Sequence, residues 1–153
     1  MNLFDGKKSR VAAEAIATLE AISKSLAVIE FTPQGMILTA NPNFCGAVGY
    51  DLTEIVGQHH RMFAEPSYAS SSEYRAFWER LGRGEFDAGE YKRLAKGGRE
   101  IWIRATYNPV FDATVKVIKI VKFASDVTAE KLVNCPRYPN RRPSSSSRCP
   151  VKS

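Results

Sequence analysis

The sequence predicts an α+β fold, an antiparallel sheet carrying helices on one face. Three observations lead there. The apolar pattern changes period along the chain and sets out a helix, two strands, a patch of short helices and three strands. Turn signals, Thr32-Pro33-Gln34-Gly35 and Gly97-Gly98, fall where neighbouring strands must reverse. A chain of 153 residues with 44% hydrophobic, 25% charged and 10% aromatic side chains can bury one core.

Residues 9–24 lack Gly and Pro, are rich in Ala and Glu, and place Ala12, Ala15, Ile16, Leu19 and Ile22 at spacings of three and four. That pattern is an amphipathic helix with a narrow stripe, able to cover a sheet face or to pair with a second copy of itself. Both fates bury Ile16, Leu19 and Ile22. Residues 26–31 and 36–40 then form a hairpin. Asn41 caps a short helix stopped by Gly49, and Asp51 with Glu54 caps another that ends at Gly57. Residues 58–68 read as irregular. One of Ser70, Ser71 and Ser72 caps a helix over 73–81 with Tyr74, Phe77, Trp78 and Leu81 on one side.

Strands follow over 85–96, 100–110 and 115–125. In the middle one, Ile101, Ile103, Ala105 and Tyr107 alternate with Trp102, Arg104, Thr106 and Asn108. Residues 126–128 cap a last helix over 129–133. Glu90, Arg93, Glu100 and Arg104 lie in strands and are expected to form exposed cross-strand pairs.

The net charge of +6 is unevenly spread. Arg137, Arg141, Arg142, Arg148 and Lys152 lie in residues 134–153 with no acidic residue, so residues 1–133 carry only +1. That stretch also holds four of the eight prolines, four consecutive serines, Cys135 and Cys149, and is expected to be a disordered tail. Five spread charges give weak, nonspecific phosphate attraction and no specific nucleic-acid partner is expected. Cys45 is the one body cysteine, which excludes a disulfide framework, and its apolar neighbours point to an inert buried thiol. No apolar run reaches membrane-spanning length and no secretory signal opens the chain, so a cytoplasmic location without membrane insertion is expected. No Ser-His-Asp set, carboxylate dyad, phosphate-binding loop or metal-spaced cluster appears, and no enzyme activity is expected.

Residues 27–31, Gly35-Met36-Ile37, Ala40-Asn41, Phe44, Gly49-Tyr50, Glu54-Ile55-Val56-Gly57, Gly98, Ile101-Trp102-Ile103 and Asp126-Val127-Thr128 together resemble a PAS domain over roughly residues 25–130. The runs 57–63, Phe77-Trp78, 89–93 and 105–109 are similar to PAS modules of cytoplasmic methyl-accepting chemoreceptors, biofilm-dispersal and aerotaxis-like receptors among them. The resemblance implies an N-terminal cap helix over 1–24 and a PAS sensory domain over 25–133, which the tail over 134–153, read from its composition, follows. It also implies a five-stranded antiparallel sheet enclosing a small-molecule pocket and downstream signalling domains of the same receptor, while the stripe of the first helix, which a two-fold arrangement can satisfy in both subunits, leads to an expected homodimer.

The resemblance offers two cofactors, haem b and FAD, beside a pocket that holds neither. His59 and His60 are the only histidines. A neutral imidazole can ligate haem iron, and His60 is the expected metal ligand because it aligns with the pocket-facing reactive position of the flavin-binding branch. Adjacent extended residues point apart, so at most one of the two faces the pocket. The related haem receptors place their axial His after a Phe in this segment, where Ala64 follows Phe63 here. Because His60 stands where the flavin branch has its photoreactive thiol, only non-covalent FAD binding is implied. Met62, Phe63, Trp78, Trp102, Tyr107 and Asn108 complete the expected cofactor-binding set. The expected function is a sensory module relaying a conformational change; the alternative is a ligand-free dimerisation module.

Overall fold

The computed structural model describes residues 3–133, and the tail of 134–153 lies outside them. Helix α1 spans Leu3–Ser25, starting before the expected residue 9 because a single glycine, Gly6, near a helix end costs too little to stop a run of good helix formers. It does not lie on the sheet. Val11, Ile16 and Leu19 are each more than half exposed, so this chain alone leaves the stripe uncovered.

The end of α1 is tied down. The carbonyls of a helix's last turn lack intrahelical partners. Here the Asn41 amide donates to the Ser23 and Leu26 carbonyls (2.9 and 2.8 Å), and the Asn43 amide donates to that of Lys24 (3.1 Å). The Asn41 side-chain oxygen also accepts from the Val28 and Phe44 backbone N–H groups, both at 2.9 Å. One side chain thereby joins α1 to strand β1 (Ala27–Phe31) and to helix α2 (Pro42–Val48).

Strand β2 (Ile37–Ala40) pairs with β1, and the short helix α3 (Leu52–Ile55) carries the expected reciprocal cap of Asp51 and Glu54. The next segment is more ordered than expected. His59 caps a 3-10 turn over His60–Phe63, its ring nitrogen accepting from the Arg61 N–H, and Pro66 opens α4 (Pro66–Ala69) with its preset φ. Helix α5 (Ser72–Gly82) is capped by Ser71.

Strands β3 (Asp87–Leu94), β4 (Glu100–Phe111) and β5 (Val117–Asp126) complete one antiparallel sheet in the order β2-β1-β5-β4-β3, before α6 (Thr128–Val133). β3 ends before the expected residue 96 because Lys96–Gly98 form a tight turn with Gly97 and Gly98 at φ 79° and 82°. β5 starts late because the Asp112 carboxylate gathers the Thr114 and Lys116 N–H groups into a turn, in which Val115 takes φ 64°. The outer edge at β2 is covered: Ile37 donates to the Gln58 carbonyl, Gly57 donates to that of Ile37, and Met36 bridges to His59. Ile29, Phe31, Ile101, Ile103, Tyr107 and Ile120 line the inner face beneath Phe44, Ile55, Phe63, Phe77, Trp78 and Leu81.

Candidate ligand pocket

His60 lies at the heart of the core and is fully buried, whereas His59 is half-buried at its margin. The two rings do point apart. His59 Nδ1 accepts from the Arg61 N–H, so its Nε2 carries the hydrogen and donates to the Gln34 carbonyl at 2.8 Å. That side chain fastens the first hairpin turn. Gly35 is required there, at φ 92°, since a Cβ would stand 2.8 Å from His59 Nε2.

The His60 ring lies between two phenols, with Nδ1 2.9 Å from the Tyr74 hydroxyl and Nε2 3.1 Å from that of Tyr107. An arginine fixes the direction of these bonds. Arg93 Nη2 can only donate, and it donates to the Tyr107 oxygen at 3.2 Å. Tyr107 therefore gives its own hydrogen to His60 Nε2, and His60 Nδ1–H donates to Tyr74. The Tyr74 ring stacks on His60, and Trp78 meets it edge-on at 5.3 Å. Burial, then the charges of Arg93 and Lys122 and the neighbouring His59, hold the His60 imidazole well below its ordinary range. Burial pushes the Tyr74 phenol up to about 12 and raises Tyr107, the latter against the nearby Arg93. The chain is neutral from Tyr107 to Tyr74.

Arg93 corrects a sequence expectation. Glu90 and Arg104 do pair across strands (2.9 Å), and Glu100 pairs with Lys92 (3.2 Å), but Arg93 points inward and is 4% exposed. Its residue faces Ile101 in the β3–β4 register, on the same side as Tyr91 opposite Ile103. Its Nη1 donates to the Lys92 carbonyl, its guanidinium carbon lies 4.8 Å from the centre of the Tyr91 ring, and its Nε has no partner among the described residues. Lys122 on β5 is 1% exposed, and its side chain makes no ion pair or hydrogen bond among the described residues. Its ammonium group meets ring faces, Tyr107 at 4.9 Å and Phe44 at 5.7 Å. Burial, and then Arg93, hold the Lys122 amine well below its usual range.

Arg93 and Lys122 line one cavity with Phe44, Val48, Phe63 and Ile103. Its volume is about 10 Å³, the scale of one water molecule, and its rim reaches the surface at Ser125 and Asp126. Of the expected set, Phe63 lines this cavity. His60, Trp78 and Tyr107 are packed beside it, and Met62 is half-buried against the same core. Trp102 and Asn108 belong to the alternate positions of β4 and lie on the outer face, where Lys131 covers Trp102 and the Asn108 amide donates to the Val121 carbonyl. They are not brought together with the rest.

The residues present do not fit haem or flavin in this arrangement. Both His60 ring nitrogens are engaged by phenols, which leaves no lone pair for iron, and aromatic side chains fill the space a flat ring system needs. No group of three or more His, Cys, Asp or Glu side chains is placed to hold a metal ion among the described residues. Cys45 is half-buried in α2 and burial, then Asp51, raise its thiol.

The antiparallel five-stranded sheet cups a small inner cavity under short helices, and a family model described as PAS fold matches residues 37–124. The chain belongs to the PAS family. It is 44% identical over 115 residues to the biofilm dispersion protein BdlA of Pseudomonas aeruginosa, covering 75% of this chain and 28% of that protein. It is 34% identical over 77 residues to the aerotaxis receptor of Escherichia coli, covering 50% of this chain and 15% of the receptor. The PAS domain of a protein from Colwellia psychrerythraea superposes with a TM-score of 0.65 at 20% identity, covering 75% of this chain and 98% of that one. The chain thus spans less than a third of the length of these two curated relatives. No helix among the described residues is long and apolar enough to cross a membrane.

Proposed function

We propose that the chain is the sensory module of a chemoreceptor-type signalling protein, binding a small ligand on the inner face of its sheet and relaying the change to α1. One observation carries this reading. Helix α2 supplies Phe44 and Val48 to the cavity wall, and Asn41 bonds the start of that helix to the terminal carbonyls of α1. A displacement of α2 by a ligand must therefore pull on α1 or break those bonds. The relatives named for biofilm dispersion and aerotaxis support a sensory role, and a cytoplasmic location is part of the proposal. The uncovered stripe of α1 supports a homodimer through that helix and the outer sheet face, with further domains of a receptor beyond.

The second reading, a dimerisation module with a closed pocket, is favoured by the small cavity. Mass spectrometry of an extract of the purified protein, with its absorption spectrum, separates the two. A stoichiometric small molecule supports the sensor. An empty extract, together with no thermal shift across a panel of small metabolites, overturns it in favour of the dimerisation module. A Soret or flavin spectrum would overturn the cofactor fit above.

A further inference from the structure

Arg93 and Lys122 present an electrostatic imbalance that the fold does not resolve. Both cationic side chains are buried, both line the same cavity, and no carboxylate pairs with either among the described residues. A buried charge is costly unless it is paired and hydrogen-bonded. The groups that meet them are a phenol, a backbone carbonyl and ring faces, and the Arg93 Nε donor is left over. The remaining wall is chiefly apolar. Asp126 is at the rim, exposed, with one carboxylate oxygen accepting from the Thr128 N–H at 2.8 Å.

We propose that this cavity takes a small organic monocarboxylate. Its charged end sits between Arg93 and Lys122, and its short apolar remainder lies along Phe44, Phe63 and Ile101. The inference rests on the reading of this pocket as the ligand site and names its ligand class. A carboxylate supplies acceptors for the unpaired Nε donor and for the lysine nitrogen, whereas a cation meets repulsion and a neutral apolar molecule leaves both charges unpaired. Because the closed cavity is only about the size of one water, binding requires Phe44 to withdraw with α2. Part of the affinity is spent on that opening, which is what couples occupancy to Asn41 and α1.

The test uses the full chain with butanoate, its neutral isostere butanamide, and inorganic phosphate, read by thermal shift and by amide chemical shifts. Saturating butanoate is expected to raise the melting temperature by about 5 °C. The Ile103 and Ala124 amides are expected to shift. Butanamide should do neither. Lys122→Met removes a buried charge at similar volume, so it is expected to fold, and it should weaken butanoate at least ~10-fold, while Lys122→Arg retains binding. Equal effects of butanamide and butanoate would overturn the anion proposal and leave the sensory reading standing. No response to butanoate, or a butanoate affinity or phosphate response that is unchanged in Lys122→Met, overturns the proposal. Recovery of a neutral molecule from the purified protein would overturn it while supporting the sensor.

Discussion

Tyr107 and Lys122 are cross-strand partners on the inner face of the sheet, and the lysine nitrogen stands 4.9 Å from the centre of the tyrosine ring. Tyr107 thus serves two neighbours with different parts of one side chain. Its ring face meets the Lys122 cation, and its hydroxyl links Arg93 to His60. Tyr107→Phe keeps the first role and deletes the second, leaving an arginine donor and an imidazole acceptor unpaired in the core. The expected loss is about 1–3 kcal/mol in urea unfolding, and Tyr107→Leu should cost more. A Phe variant as stable as the parent would show that the hydroxyl links nothing.

Acid should weaken the fold before the carboxylates titrate. Folding holds the His60 imidazole well below its ordinary 6.5, chiefly by burial and then through Arg93, Lys122 and His59. Below pH 6.5 the unfolded chain therefore binds a proton that the folded chain refuses, and stability falls as pH falls, by up to about 1.4 kcal/mol per unit for that proton. The half-buried His59, shifted down chiefly by burial, acts with the same sign. Comparing urea midpoints at pH 7 and 5.5 for the parent and His60→Gln isolates one histidine. The parent should lose more stability, and equal losses would refute the assignment.

Asn41→Asp keeps an acceptor for the Val28 and Phe44 N–H groups but places an anion against the Ser23 and Leu26 carbonyls. Hydrogen exchange in the last turn of α1 should quicken while the β1 amides remain protected. Asn41→Ala should expose both, at a cost of about 1 kcal/mol for the lost cap alone. If α1 exchanges at the parent's rate in both variants, the helix is held by something other than Asn41.

Deleting residues 1–22 removes the uncovered stripe of α1 and is expected to leave a folded monomer in sedimentation. A truncated chain that still sediments as a dimer would move the interface to the outer sheet face alone.

Val115 is an exposed β-branched residue at φ 64°, a region costing about 1–2 kcal/mol for a residue with a side chain. Val115→Gly should raise stability by several tenths of a kcal/mol, after the extra entropy glycine brings to the unfolded chain. A lower melting temperature would contradict the turn geometry.

The sheet and most helices were legible because period and punctuation agree. Alternation put Tyr107 with Ile101 and Ile103, and Asn41 and Ser71 cap the helices they precede. The same alternation places Trp102 and Asn108 outside, so their expected pocket role came from family likeness rather than from the strand. His60 was legible as the inward histidine, but its two phenol partners lie 14 and 47 residues away and leave no local trace. Arg93 and Lys122 were missed because charge argues for exposure. The one available signal was parity: Ile120, Lys122 and Ala124 share a face, as do Tyr91 and Arg93. The turn and helix over 60–69 depend on His59 as a cap and on Pro66, a residue more often read as a breaker.

The closed flank at β2 bears on how the molecule behaves when crowded. An uncapped sheet margin is a template on which a neighbouring chain can lay its own backbone and start a fibre. Here the Gly57–His59 segment already occupies that template, and the opposite margin, β3, carries Glu90 and Lys92 engaged in ion pairs. Copies of this protein are thereby steered away from strand-to-strand growth, and reversible association is left to side-chain surfaces that a modest energy can open again.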